Sequence, residues 1–193
     1  MEAGSRAITL SLMAEPTPLY QIRLAVRFEL EDIAAGGSVL VAASGGADSS
    51  ALAAALLLEC KSKSIKVIAL IIDHGLQKNS ADVTHETKRT LTKIGYENIE
   101  IRRVTVEITD GLEASARRAR YQALSDVANS HNAVAIFLGH TKDDQAETVL
   151  LGLARGSGSR SLSGMAARVD HYRRPLLSIT RAQIAEHRIK HSR

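Results

Sequence analysis

Four short apolar runs recur along the chain, at 38–43, 65–72, 99–106 and 133–138. They are continuous rather than alternating, which marks strands buried on both faces, as in parallel sheets. The third carries Glu100, Arg102 and Arg103 and is expected nearest an edge. Helical patterns lie between and after them, roughly at 49–60, 80–94, 113–129 and 143–154. Ahead of the first strand, Thr17 as N-cap and Pro18 at the first helical position open another helix. It carries Leu19, Ile22, Leu24, Val26, Leu30 and Ile33 and is expected to stop at Gly36 and Gly37. A further strand is expected around 170–174, and a last helix at Thr180, whose capping box closes on Gln183. This alternation predicts an α/β fold: a doubly wound, mostly parallel sheet with helices on both faces.

The length of 193 residues suits one domain with a short appendage. Residues 1–16 read as an N-terminal extension, with Met13 an alternative start, and 17–193 as the domain. Apolar residues at 45% and charged ones at 24% exclude a disordered tail or a collagen-like rod. The longest strongly apolar stretch, 51–58, is too short to span a membrane, so no membrane partner is expected. A single cysteine, Cys60, makes no internal disulfide and no cysteine metal site, and points to the cytoplasm. The net charge of +4 is uneven: residues 153–193 hold nine Lys or Arg against Asp170 and Glu186. Such an end suits a polyanion such as nucleic acid, or is merely a solvated basic face.

In open parallel sheets, ligands bind beyond the carboxyl ends of the strands. After the first strand comes Ser44-Gly45-Gly46-Ala47-Asp48-Ser49, which opens a helix. Paired glycines let a backbone approach an anion, and the helix N-terminus adds positive potential. An acid beside such a nest makes sense with a divalent cation between them. The plain alternative is a tight turn capped by Asp48 or Ser49. The turn is neither G-x-x-x-x-G-K-[ST] nor G-x-G-x-x-G.

Three other clusters sit at strand ends or on the helices behind them. Asp73, His74 and Gly75 come after the second strand. Arg117, Arg120 and Tyr121 share a helix face, either for a ligand or for surface ion pairs. The fourth strand leads into Gly139, His140, Thr141, Lys142, Asp143, Asp144, Gln145, Ala146, Glu147 and Thr148. A Thr141–Asp144 capping box explains Asp144 but not its polar neighbours.

The glycine turn resembles the S-G-G-x-D-S loop of the N-type ATP pyrophosphatases, whose fold is Rossmann-like and of the adenine nucleotide alpha hydrolase type. The remaining clusters narrow the resemblance to the tRNA(Ile)-lysidine synthases. These show H-G-L, E-A-x-A-R-x-x-R-Y, H-x-x-D-D-Q-A-E-T and R-G-S-G-x-R-x-L-x-G-M, in that order. The last reads here from Arg155 through Arg160 to Met165, and Arg174-Pro175-Leu176-Leu177 with Arg181 fits the family's next strand and helix. The likeness runs from about Val39 to Arg181. Lys142 departs from it mildly, and the family's usual C-terminal tRNA-binding domains are expected to be lacking.

The resemblance implies an ATP-dependent ligase that uses Mg2+, free L-lysine and an isoleucine tRNA with a CAU anticodon. Carbon 2 of the wobble cytidine is activated through an adenylated intermediate and then takes the lysine side-chain amine. By position, Ser44, Gly45, Gly46, Ala47, Asp48 and Ser49 would hold the phosphates, with Asp48 also meeting the metal. Arg117, with Arg120, would offset charge on the reacting phosphate. His140 would serve as a base or as a contact to the cytidine. Asp143 would orient His140, hold lysine or assist the metal. Arg155, Arg160 and Arg174 would contact tRNA. A homodimer is left open. The rival readings are a non-catalytic nucleotide-binding module and a tRNA thiolase; the thiolase normally needs more cysteines than Cys60.

Overall fold

The computed structural model describes residues 18–73, 80–106, 111–154 and 163–190. In chain order the elements are α1 (Pro18–Glu29), β1 (Ser38–Ala43), α2 (Ala47–Ser62), β2 (Lys66–Asp73), α3 (Ser80–Ile94) and β3 (Ile99–Arg103). They continue as α4 (Leu112–Ser130), β4 (Ala133–Phe137), α5 (Lys142–Ala154), β5 (Arg168–Val169), β6 (Tyr172–Arg173) and α6 (Arg181–Lys190).

The strands form one six-stranded sheet in the order β3-β2-β1-β4-β6-β5. All pairings are parallel except the β5–β6 hairpin. The polar third strand is the edge, as its composition implies. Successive side chains on a strand point to opposite faces, so a strand apolar throughout feeds two cores. Val39, Val41 and Ala43 of β1 join Val67, Ala69 and Ile71 of β2 in a core closed by α1, α2, α3 and α6. Leu40, Ala42, Ile68 and Leu70 face the other way, onto Leu124, Val127 and Ala128 of α4. Helix α5 belongs to neither layer: only Gly152 on it is buried.

Helix α1 ends at Glu29, seven residues before the glycines expected to stop it. Cations from elsewhere in the chain explain the early stop. Arg168 donates to the Phe28 carbonyl at 3.3 Å, Arg173 to that of Glu29, and Lys63 to that of Leu30 at 3.2 Å. Carbonyls at a helix C-terminus lack intrahelical partners and carry partial negative charge, so positive donors suit them. The strand expected at 170–174 is the second arm of a tight hairpin, whose turn holds Asp170 at φ 51°. Aspartate tolerates that left-handed conformation better than most residues. At α6 the capping box forms as expected, with the Thr180 amide and hydroxyl both donating to Gln183 Oε1. Thr17, expected to cap α1, lies outside the described residues.

Glu59 fastens α1 to α2. Its side chain is nearly inaccessible, yet it accepts from Arg23 Nε at 2.7 Å and Arg27 Nε at 3.0 Å. Burial pushes its carboxyl up, but Arg27 and Arg23 outweigh burial and leave it below the ordinary range. The two arginines are half exposed, so the pair is asymmetric. Replacing both arginines by Ala should strand a buried carboxylate and cost ~3 kcal/mol. Glu59→Gln returns the arginines to water and should cost only about 1 kcal/mol. Urea-unfolding midpoints of the two variants check this order.

Candidate functional site

The site lies beyond the carboxyl ends of β1 and β4. Strand β1 runs into Ser44; Gly45 takes φ 83°, and Gly46 stands at the N-cap of α2 with φ −73° and ψ 165°. No side chain caps this helix. The plain reading of the turn, with Asp48 or Ser49 as the cap, therefore does not hold. Instead Ser49 folds back: its hydroxyl accepts from the Ser44 amide at 3.3 Å and the Ser44 hydroxyl at 3.1 Å, and donates to the Gly46 carbonyl at 3.0 Å. The two serines thus shape the turn and leave the first amides of α2 for an anion. Gly45 has a second constraint besides its positive φ: a Cβ there would collide with the Thr87 hydroxyl of α3.

The end of β4 is set against this turn by close approach. A Cβ on Gly139 would come within 3.1 Å of Ser49 Cα and 3.2 Å of its amide nitrogen. Past Gly139, Thr141 is fully buried and makes the expected capping box. Its amide and hydroxyl donate to Asp144 Oδ2 at 2.7 and 2.8 Å. Gln145 acts at a distance, accepting from the Met165 amide at 2.6 Å and donating to the Met165 carbonyl at 2.8 Å. That clamp fixes the chain where it approaches β5.

Asp143 accepts the backbone amide of Arg181 at 2.9 Å, which ties α5 to the start of α6. Among the described residues Asp143 accepts no hydrogen bond from His140; its partner is the Arg181 amide. Arg181 itself reaches three carboxylates: Asp48 at 3.6 Å, Glu147 at 2.9 Å, and Asp144 in a close ion pair. The sequence reading does not single Arg181 out as a site residue. A signal is present, since a cation in the first turn of a helix opposes the macrodipole and needs a reason. Burial raises the Asp48 carboxyl above its usual range, and Arg181 pulls it part of the way back.

The other half of the site is positive. Arg117 lies over the Tyr121 ring at 5.1 Å and donates to its hydroxyl at 3.4 Å. Tyr121 in turn meets the edge of Tyr172, ring centres 5.0 Å apart. Burial, then the positive charges of Arg120 and Arg174, push the His140 imidazole down to about 4. Its Nδ1 is buried without a hydrogen-bond partner among the described residues. Arg174, expected to contact tRNA, is only 7% exposed and donates to the Ala166 carbonyl at 3.0 Å. Arg168 and Arg173 are likewise engaged with Glu29 and Asp32. His74, Arg155 and Arg160 lie outside the described residues. Cys60 is buried in α2, and burial pushes its thiol up to about 12, so it is no nucleophile.

A family model described as a PP-loop domain matches residues 21–192. The chain belongs to the PP-loop domain family. Among curated proteins it is similar to tRNA(Ile)-lysidine synthase of Thermobifida fusca (strain YX), 47% identical over 171 residues, covering 89% of this chain and 53% of that one. It is 53% identical over 146 residues to the synthase of Streptomyces coelicolor, covering 74% and 42% of the two chains. With that of Rhodococcus jostii the figures are 46% over 171 residues, 89% and 50%. The PP-loop chain thus spans about half the length of the curated relatives it matches. A solved structure of similar fold is U34-tRNA thiolase NcsA from Methanococcus maripaludis, with its [4Fe-4S] cluster. The TM-score is 0.72 at 19% identity, covering 88% of this chain and 62% of that one.

The geometry of the glycine turn at 44–49 and of its neighbour His140 can be tested by stability. Gly45→Ala should cost about 1–3 kcal/mol through backbone strain and the clash with Thr87. Adding Thr87→Ala should recover the clash but not the strain, as read from thermal melts. His140 in the native state takes its proton near pH 4, against about 6.5 for an unfolded chain. As pH falls through that window the unfolded chain binds more protons, so the native state loses stability. His140→Asn should flatten that loss between pH 6.5 and 4, measured as urea midpoints against pH.

Proposed function

We propose that this chain is the ATP-using part of a tRNA(Ile)-lysidine synthase. It would bind ATP on the PP-loop, activate carbon 2 of the wobble cytidine of an isoleucine tRNA, and let free lysine displace AMP there. The observation that carries the reading is the PP-loop itself: an uncapped helix N-terminus behind Gly45 and Gly46, shaped by Ser44 and Ser49. Curated synthases at 46–53% identity over most of this chain support the choice of tRNA and product.

The flanking charges suit the two reactants of opposite sign. Arg117 and Arg120 would face the triphosphate, whose negative charge grows on the leaving pyrophosphate as the oxygen of the cytidine attacks. Preorganised cations there are worth several kcal/mol in a transition state. Asp48, Asp144 and Glu147, now closed by Arg181, suit a cation. Among the described residues no three His, Cys, Asp or Glu are grouped to hold a metal alone. Mg2+ commonly takes one or two carboxylates together with phosphate oxygens, so Asp48 fits as its protein ligand. Bound there, the ion would neutralise phosphate charge. An imidazole held near pKa 4 is a poor base for an ammonium group. We therefore assign His140 a hydrogen-bonding role toward a substrate rather than proton abstraction from lysine. The thiolase chemistry of the structural neighbour has no counterpart in a lone buried Cys60.

The test is incubation with labelled lysine and bulk tRNA, with and without ATP. Label should enter tRNA only with ATP, and Asp48→Asn should abolish both this and tRNA-dependent ATP–pyrophosphate exchange. The variant should melt within a few degrees of the parent, because Asp48 caps nothing. Exchange at the parent rate would overturn the phosphate-site reading. ATP binding with no exchange and no label transfer, by a parent chain assayed alone or joined to the remainder of a relative, would favour a nucleotide-binding module.

A further inference from the structure

Arg174 is the most deeply buried arginine at the ligand end of the sheet. The carbonyl of its neighbour Arg173 accepts the Leu138 amide at 2.9 Å, which sets Arg174 beside the Gly139–His140 step of the β4 end. The Arg174 amide and one guanidinium nitrogen are occupied by the carbonyls of Ala167 and Ala166. Its Nε is buried and has no partner among the described residues, and the same is true of His140 Nδ1. Two orphaned polar atoms on adjacent strand ends are unusual, since buried polar groups nearly always find partners.

The surroundings state what is missing. Arg117 and Arg120 of α4 act on His140 together with Arg174; among the described residues Arg117 meets the Tyr121 hydroxyl, Arg174 a backbone carbonyl, and no carboxylate acts on the buried Arg120. Asp144, the acid that also acts on His140, is taken by Thr141 and Arg181. A buried cation without a counter-charge is expensive, so the arrangement awaits an anion. A metal ion or an amine is excluded by sign. Three positive charges suit a phosphate better than the single charge of a carboxylate.

We propose that Arg174 Nε and His140 form a subsite for a phosphate oxygen of the bound nucleotide, separate from the PP-loop amides. The inference rests on the ATP-binding reading above and adds a residue to it. Arginine donates to phosphate oxygens in a planar fork that lysine cannot copy. With the Ala166 carbonyl holding one end of the guanidinium, Nε presents a fixed donor; neutral His140 presents a second in the tautomer protonated at Nδ1.

Calorimetric titration of the parent and of Arg174→Gln with Mg2+-ATP, AMP and adenosine tests this. The substitution should weaken ATP and AMP at least tenfold and leave adenosine unchanged, whereas a merely structural Arg174 would weaken all three alike. Arg174→Lys should fall between. Nitrogen NMR of labelled histidine should show the His140 Nδ1 signal moving on addition of AMP and not of adenosine. If Arg174→Gln does not fold, His140→Asn reads the same subsite and should give the same phosphate-selective loss. A parent that binds no ATP would overturn the ATP-binding reading itself. A parent that binds ATP, with both variants matching it, would overturn this subsite alone.

Discussion

The site exists because two strand ends are forced together at one point, where Gly139 touches the backbone of Ser49. β1 and β4 are hydrogen-bonded neighbours in the sheet, but pairing alone brings their backbones no closer than any two strands. The missing side chain at Gly139 lets the exit of β4 rest on the first turn of α2, with 3.1 Å from an ideal Cβ to Ser49 Cα. Everything chemical depends on that approach. It places His140 and the α5 capping box next to the glycine turn at 44–49, and through Asp143 and Asp144 it brings α6 and Arg181 along.

Around that contact the charges are sorted by sign. Asp48, Asp143 and Asp144 come from the first turns of α2 and α5, where the helix dipoles favour them, and Glu147 stands one turn further along α5. Arginines come from α4 and from the chain after β6. Arg181 is the exception, a cation in the first turn of α6, and it sits there because three carboxylates outweigh the unfavourable dipole. Its contacts offset the repulsion among Asp48, Asp144 and Glu147. Any cation that enters the acidic side must compete with Arg181, so the guanidinium sets a threshold for binding there.

Much of this was legible in the sequence. Parallel strands, the edge position of β3 and the capping boxes at Thr141 and Thr180 follow from local rules, and local rules decided them. The early end of α1 was not legible, because its cause is long-range: Arg168 and Arg173 reach back across about 140 residues to its last carbonyls. Gln145 shows the same limit. Its sequence neighbours suggest a ligand contact, while its amide in fact pins Met165, twenty residues on. Pattern reading finds which residues need an explanation, but only the fold says whether the partner is a substrate or another part of the chain.

The basic C-terminal stretch makes that point most sharply. Counted along the sequence it is a strong positive block, the kind that suggests a phosphate backbone nearby. In the fold, Arg168 and Arg173 hold the end of α1, Arg181 neutralises the acidic side, and Arg174 turns inward. Four of its positive charges are therefore committed to building and balancing the domain before any nucleic acid arrives. Counterion release scales with the phosphates that free cations neutralise. Net charge alone thus overstates how strongly this stretch should attract RNA. The more telling cations are Arg117, Arg120 and Arg174, whose charges act together on His140 at the strand ends rather than spread over a surface.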